Sequence, residues 1–104
     1  MNFLTIIWMH FIADFLFQTD KMAINKSTSN KWLAIHICAY TPIFFLIGWK
    51  FALLNGLCHF VTDYFTSKAT SYLWKKEKRH WFFTVIGFDQ AIHMTTLYLT
   101  MDMF

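Results

Sequence analysis

Charge is scarce in this chain. Only 14% of its 104 residues are Asp, Glu, Lys or Arg, against roughly 25% in an ordinary soluble domain. The net charge is +3, but the basic residues stand between apolar runs rather than among aromatics on one face, which excludes a nucleic-acid partner. Cysteine is limited to Cys38 and Cys58. Neither has the Cys-x2-Cys spacing of a metal knuckle and both fall inside apolar runs, so they read as small buried side chains, with a disulfide left open. Proline occurs once, at Pro42. The first apolar run lacks the basic lead-in of a secretory signal and is interrupted by His10 and Asp14, so it is read as part of the mature fold. No repeat of fixed period is present, and the length allows one domain, 1–104.

What is there is apolar: hydrophobic residues make up 57% of the chain and aromatics 21%. The expected fold is all-α, an integral membrane four-helix bundle with approximate spans 3–17, 32–49, 51–74 and 81–101. The first run is short for a hydrocarbon core of about 30 Å. Trp32 and Trp49 bracket the second, and Pro42 should kink it. Gly48-Trp49-Lys50 is so short a connection that the second and third spans must be antiparallel neighbours. The Ser27-Thr28-Ser29-Asn30 run suits a helix cap. The loops after the first and third spans carry Lys21, Lys26, Lys31, Lys75, Lys76, Lys78 and Arg79, while the other side has only Lys50. The positive-inside rule then places both termini outside, N-out/C-out.

Inside the runs the polar residues are few and regularly placed. Asn55, His59 and Asp63 stand at i, i+4 and i+8, a single stripe on a helix. His10 and Asp14, with Gln18 a turn further, repeat the spacing, and Asp89 and His93 reverse it. The last run is antiparallel to the first and third, so the reversed order cancels the reversed direction. His10, His59 and His93 then fall at one level and Asp14, Asp63 and Asp89 at the next, with His36 and Tyr40 approaching from the second run. An aspartate at mid-membrane costs about 3 kcal/mol, and three unpaired would cost about 10 kcal/mol, comparable with the stability of a small domain. A divalent metal offsets this directly, because carboxylate and neutral imidazole are its ligands.

The metal candidates are accordingly His10, Asp14, His36, His59, Asp63, Asp89 and His93, while Gln18, Asn55 and Tyr40 are placed to orient a ligand or a substrate. These seven donors exceed the four of one tetrahedral zinc and suit one or two ions, zinc first, with manganese or iron as alternatives. One His/Asp pair at i, i+4 is more often a plain hydrogen bond; the matched recurrence is what favours metal. Thr62, Thr66, Ser67, Thr70, Thr96 and Thr100 read as interhelical glue, Lys68 as a snorkelling side chain and His80 as a solvated loop residue.

These residues together resemble a known family. The order His10-x3-Asp14-x3-Gln18-Thr19-Asp20 with Asn25-Lys26, then His36 and Tyr40, then Asn55-x3-His59-x3-Asp63-Tyr64, then Asp89-Gln90-x2-His93 is similar, over nearly the whole chain, to small polytopic membrane proteins of bacteria and their phages that form a domain of unknown function. The resemblance implies a multi-pass protein of the bacterial inner (cytoplasmic) membrane and the same site residues. It implies no activity. The short chain agrees with a phage or mobile-element version.

Function is therefore argued from the site. The first expectation is a membrane-embedded, metal-dependent hydrolase with a cytoplasm-facing His/Asp centre, acting on a lipid or lipid-linked ester, amide or phosphoester. One of Asp14, Asp63 and Asp89 would serve as the catalytic base. The alternatives are a divalent-cation or proton transport or channel protein, and a non-enzymatic phage-type membrane protein such as a lysis or exclusion factor. Membrane lipid is the expected partner, and a homo-oligomer is left open.

Overall fold

In the computed structural model, which describes residues 2–104, the three short α-helices begin where a small polar side chain can close the first turn. Asn2 Oδ1 accepts from Thr5 N at 3.0 Å at the start of α1, Phe3–Phe11. Thr19 does the same for α2, Asp20–Asn25, and Ser29, inside the expected capping run, for α3, Asn30–Tyr40. These oxygens satisfy amides that a helix leaves free at its start. The two long helices follow, α4 over Trp49–Lys75 and α5 over Arg79–Thr100. Between them Glu77 takes a left-handed φ of 57°, and Lys78 N reaches Leu73 O while Glu77 N reaches Trp74 O, a Schellman closure that turns α5 back along α4.

Two irregular segments shape the bundle. Past Phe11 the chain widens into a π turn, Ile12–Leu16, in which Phe17 N bonds Ile12 O at 3.0 Å. A π turn adds a residue to the helical circuit and re-aims its side chains, and here it buries Ala13 and Asp14. After Tyr40 the chain tightens into a 3-10 helix, Thr41–Leu46, around Pro42, which has no amide hydrogen to continue an α-helix. The expected kink thus takes the form of a change of helix type.

Apolar packing gathers Ile6, Met9, Ala13, Tyr40, Phe44, Phe51, Ala52 and Leu97 into one cluster. Apart from Leu33, the rest of the interior is polar and includes His10, Asp14, His36, His59, Asp63, Asp89 and His93. Many large apolar side chains face outward instead, among them Leu4, Trp8, Leu57, Phe65 and Phe88. Cys38 is exposed rather than buried as its apolar run suggested; Cys58 is half-buried, and both thiols are free.

The membrane expectation does not hold. No helix among the described residues is long and apolar enough to cross a membrane. Spans 3–17 and 32–49 are not continuous α-helices: α1 ends after 9 residues, about 13 Å, and α3 after 11, about 16 Å. Helices α4 and α5, with 27 and 22 residues, have the length. What they lack is apolarity, because the stripes Asn55/His59/Asp63 and Asp89/His93, with Lys50 and Lys68, lie within them. The transmembrane bundle, its N-out/C-out orientation and the inner-membrane location fall together. The fold is all-α, with five α-helices among the described residues rather than four.

Close approach of α4 to the end of α3 depends on Gly56. A Cβ there would stand 2.5 Å from Thr41 Oγ1 and 3.2 Å from Thr41 Cγ2. Gly56→Ala is therefore expected to cost about 1–3 kcal/mol by overpacking. Chemical denaturation followed by circular dichroism should show Thr41→Ala recovering most of that loss; a stable single mutant would disprove the contact.

Candidate metal centre

Each element brings its site residues by a local rule. Helix α4 presents His59 and Asp63 one turn apart, and α5, running back, presents Asp89 and His93 in the opposite order. His10 closes the last turn of α1, the π turn swings Asp14 inward, and α3 supplies His36 and Tyr40 on one face. All of these side chains are buried.

Four ligand atoms from three segments converge. His36 Nε2 lies 3.2 Å from Asp14 Oδ1 and 3.3 Å from Asp63 Oδ2. His59 Nε2 lies 3.5 and 3.2 Å from the same oxygens, and the two nitrogens are 3.1 Å apart. Corners of a tetrahedron about zinc, at bond lengths of about 2.0–2.2 Å, stand about 3.3–3.6 Å from one another. Asp14, His36, His59 and Asp63 could thus hold a metal ion, and a second set, Asp14, Asp89 and His93, shares Asp14 with the first. Asp63 also faces both ways: its Oδ2 belongs to the quartet and its Oδ1 lies 3.2 Å from His93 Nε2, which is 3.1 Å from Asp89 Oδ2.

Gln90 organises the flank. Its Nε2 is 3.2 Å from both Asp14 Oδ2 and Asp89 Oδ2, and its Oε1 is 2.8 Å from His10 Nε2. With the amide nitrogen facing carboxylates, the amide oxygen can only accept, so His10 carries its proton on Nε2. His10 Nδ1 then accepts from the Tyr40 hydroxyl at 2.9 Å. His10 is held in one tautomer outside both ligand sets, 3.6 Å from the nearest oxygen of Asp14. Lys26 Nζ stands 3.2 Å from Asp63 Oδ2, and the Thr66 hydroxyl donates to Asp89 Oδ1 at 2.6 Å. Sequence reasoning placed Gln90 and Lys26 only within the family motif, counted Lys26 as a loop charge and read Thr66 as glue. For Gln90 the local signal was present, a long polar side chain directly beside Asp89 in an apolar run; for Lys26, distant from Asp63 along the chain, the motif was the one signal.

The other expected site residues lie further out. Tyr40 touches the centre, its ring 3.9 Å from that of His59. Asn55 points away and ties α4 to α5, donating to Phe51 O at 3.0 Å and Thr100 Oγ1 at 2.9 Å. Gln18 lines a cleft beside α2. Lys68, expected to snorkel, donates to Ser27 O at 3.1 Å and lies over the Tyr64 ring. His80, expected in a loop, lies in the first turn of α5 and is exposed. A small cleft of about 50 Å³, lined by Lys26, Asp63, Thr66, Ser67, Thr70 and Asp89, opens onto the Asp63/Asp89 edge of the centre.

The electrostatics follow from these contacts. Burial pushes the carboxyls of Asp14 and Asp63 up, but hydrogen bonds from His36 and His59, joined at Asp63 by His93, outweigh it and hold both far below the usual carboxylate range. Burial lowers His93, yet its bonds to Asp63 and Asp89 prevail and raise it to about 9. His36 is raised in the same way by Asp14 and Asp63. In His10 burial prevails and the pKa is lowered. The buried Nδ1 atoms of His36 and His59 have no partner, so both rings are held through the nitrogens aimed at the centre.

A pH dependence with a definite sign follows for chelator-treated protein. His93 titrates near 6.5 when unfolded and at about 9 when folded. Its stabilisation, on the order of 3 kcal/mol, is fully present below pH 6.5 and lost as pH rises through 9. Urea unfolding between pH 6 and 9.5 should show that decline, and His93→Gln should flatten it; an unchanged slope in the variant would contradict the pairing.

No curated protein and no solved structure matches the chain. A family profile does match, over residues 2–104, and by that match the chain belongs to the family described as a protein of unknown function, DUF3307.

Proposed function

We propose that the centre binds divalent metal, zinc in the first place, and that the protein is a metal-dependent hydrolase. The observation that carries this reading is the quartet of Asp14, His36, His59 and Asp63, in which the two imidazole nitrogens stand 3.1 Å apart and each lies 3.2–3.5 Å from both carboxylate oxygens, close to the separations of a tetrahedral zinc site. Imidazole and carboxylate are the donor set of zinc, with manganese or iron the alternatives where oxygen predominates.

The two ligand sets differ in what they leave open. The quartet fills a tetrahedron, as structural sites do. Asp14, Asp89 and His93 supply three ligands and leave a fourth position for water, beside the cleft that Asp89 lines. A carboxylate shared between the sets, as Asp14 is, suits two ions about 3.5–4 Å apart. Asp14, Asp89 and His93 would hold the ion, which would lower the pKa of a bound water toward 7 and so supply a nucleophile for an electrophilic carbon or phosphorus, the water's second proton going to the departing oxygen or nitrogen. No separate aspartate base is then required. Lys26, at the cleft, supplies positive charge where an oxyanion develops. Completeness of the quartet also favours a second reading, in which metal only secures the fold.

Metal analysis of the purified chain is expected to find one to two zinc ions per molecule and a melting temperature that rises with zinc. His59→Ala and Asp63→Asn should abolish the quartet ion. Asp89→Asn should keep it while lowering hydrolysis of model esters and phosphoesters on the order of 10²-fold. Metal without hydrolysis of any model substrate would leave the fold-securing reading; no metal in wild type would sink both.

A further inference from the structure

A larger cleft adjoins the centre. It encloses about 620 Å³ between α2 and the facing ends of α4 and α5, within the roughly 300–1,000 Å³ range of small-molecule sites. Ile24, Trp74, Phe82 and Ile86 form its apolar wall; among the described residues Lys26 and Lys75 supply its only charges and no carboxylate lines it. Trp74 packs against two neighbours, with the Arg79 guanidinium 3.6 Å from its ring centroid and the Phe82 ring centroid at 4.9 Å. Gln18 lines the same cleft, and its Oε1 is buried without a hydrogen-bond partner, an acceptor awaiting a donor. Lys26 and Thr70 belong both to this cleft and to the small one that reaches Asp63 and Asp89.

We infer that this cleft is the substrate site of the proposed hydrolase and that its ligand is a phosphoester with an apolar alkyl or aryl group, the phosphate at Lys26 and the apolar group against Trp74, Phe82 and Ile86. The inference rests on the hydrolase reading for the reaction but not for the binding. Charge complementarity selects an anion, because Lys75 and Lys26 are the charged groups among the described lining residues and the one acid that Lys26 meets, Asp63, lies outside the cleft. Continuity selects the orientation, because Lys26 is where the apolar cleft meets the centre. Lys26 also contacts Asp63 Oδ2, an oxygen of the quartet. A metal ion taking that oxygen releases the ammonium toward the cleft, so zinc should strengthen anion binding.

Calorimetric titration of the full chain with hexyl phosphate, phenyl phosphate, inorganic phosphate and hexylammonium, with and without zinc, tests this. Hexyl or phenyl phosphate is expected to bind at least tenfold more tightly than inorganic phosphate, with hexylammonium failing to bind, and the ratio of the first two separates a chain-bearing from an aromatic ligand. Lys26→Gln should weaken binding tenfold or more. Lys75→Gln, an exposed change that leaves the centre untouched, should weaken it several-fold, and supports the same conclusion if Lys26→Gln does not fold. Equal affinity for inorganic and organic phosphate, equal binding of hexylammonium, or indifference to both lysine changes overturns the inference. Lysine-dependent binding in a protein that takes up no zinc would keep the cleft and remove the metal reading; zinc uptake without phosphoester binding would do the reverse.

Discussion

Burying carboxylates in a small domain is affordable only if every one of them is answered. Asp14 and Asp63 are almost wholly removed from water, and the penalty for an isolated buried carboxylate would exceed the stability of the domain. Each is answered by imidazole nitrogens from separate helices at 3.2–3.5 Å, and Asp63 by Lys26 as well. Removing any one partner leaves the others over-charged. The bundle is therefore held by a polar network in the place where most domains of this size place leucine and valine.

That constraint explains the two irregular segments. A regular α-helix through residues 10–17 would keep Asp14 directly above His10; the π turn adds a residue and moves Asp14 toward His36 and His59. The 3-10 segment after Tyr40 redirects the chain so that Phe44 packs against Phe51 at the head of α4, while His36 and Tyr40 stay on the polar side. Gly56 permits the close approach there, one turn before His59.

The site was largely legible in the sequence, and the setting was not. Helix-spaced pairs such as His59/Asp63 and the reversed Asp89/His93 are periodic signals, and an antiparallel hairpin must bring them level, as the stacked rings of His59 and His93, 3.8 Å apart, illustrate. His36 and Asp14 were legible for the same reason. Hydropathy misled because it averages along the chain: the first and second apolar runs contain a π turn and a proline break that shorten their helices, and in α4 and α5 the polar stripe is what an average dilutes. Gln90 was missed because a residue adjacent to Asp89 points about 100° away on a helical wheel, and only its long side chain returns it to the centre. Lys26 sits beyond α2, where no periodicity operates and only the folded chain brings it to Asp63.

Charge balance ties the metal-free network to the proposed centre. Three carboxylates face Lys26, a His93 that stays protonated to about pH 9 and a His36 pushed the same way, so the cluster can be close to neutral on protons alone. A divalent ion at the quartet would displace the proton of His36, and one held by Asp14, Asp89 and His93 would displace that of His93. Each ion would exchange two charges for one, so loading would leave the centre more positive than the metal-free network. A centre so loaded would call for hydroxide and an anionic substrate, which is the kind of group that the lysine-lined cleft beside it is proposed to receive.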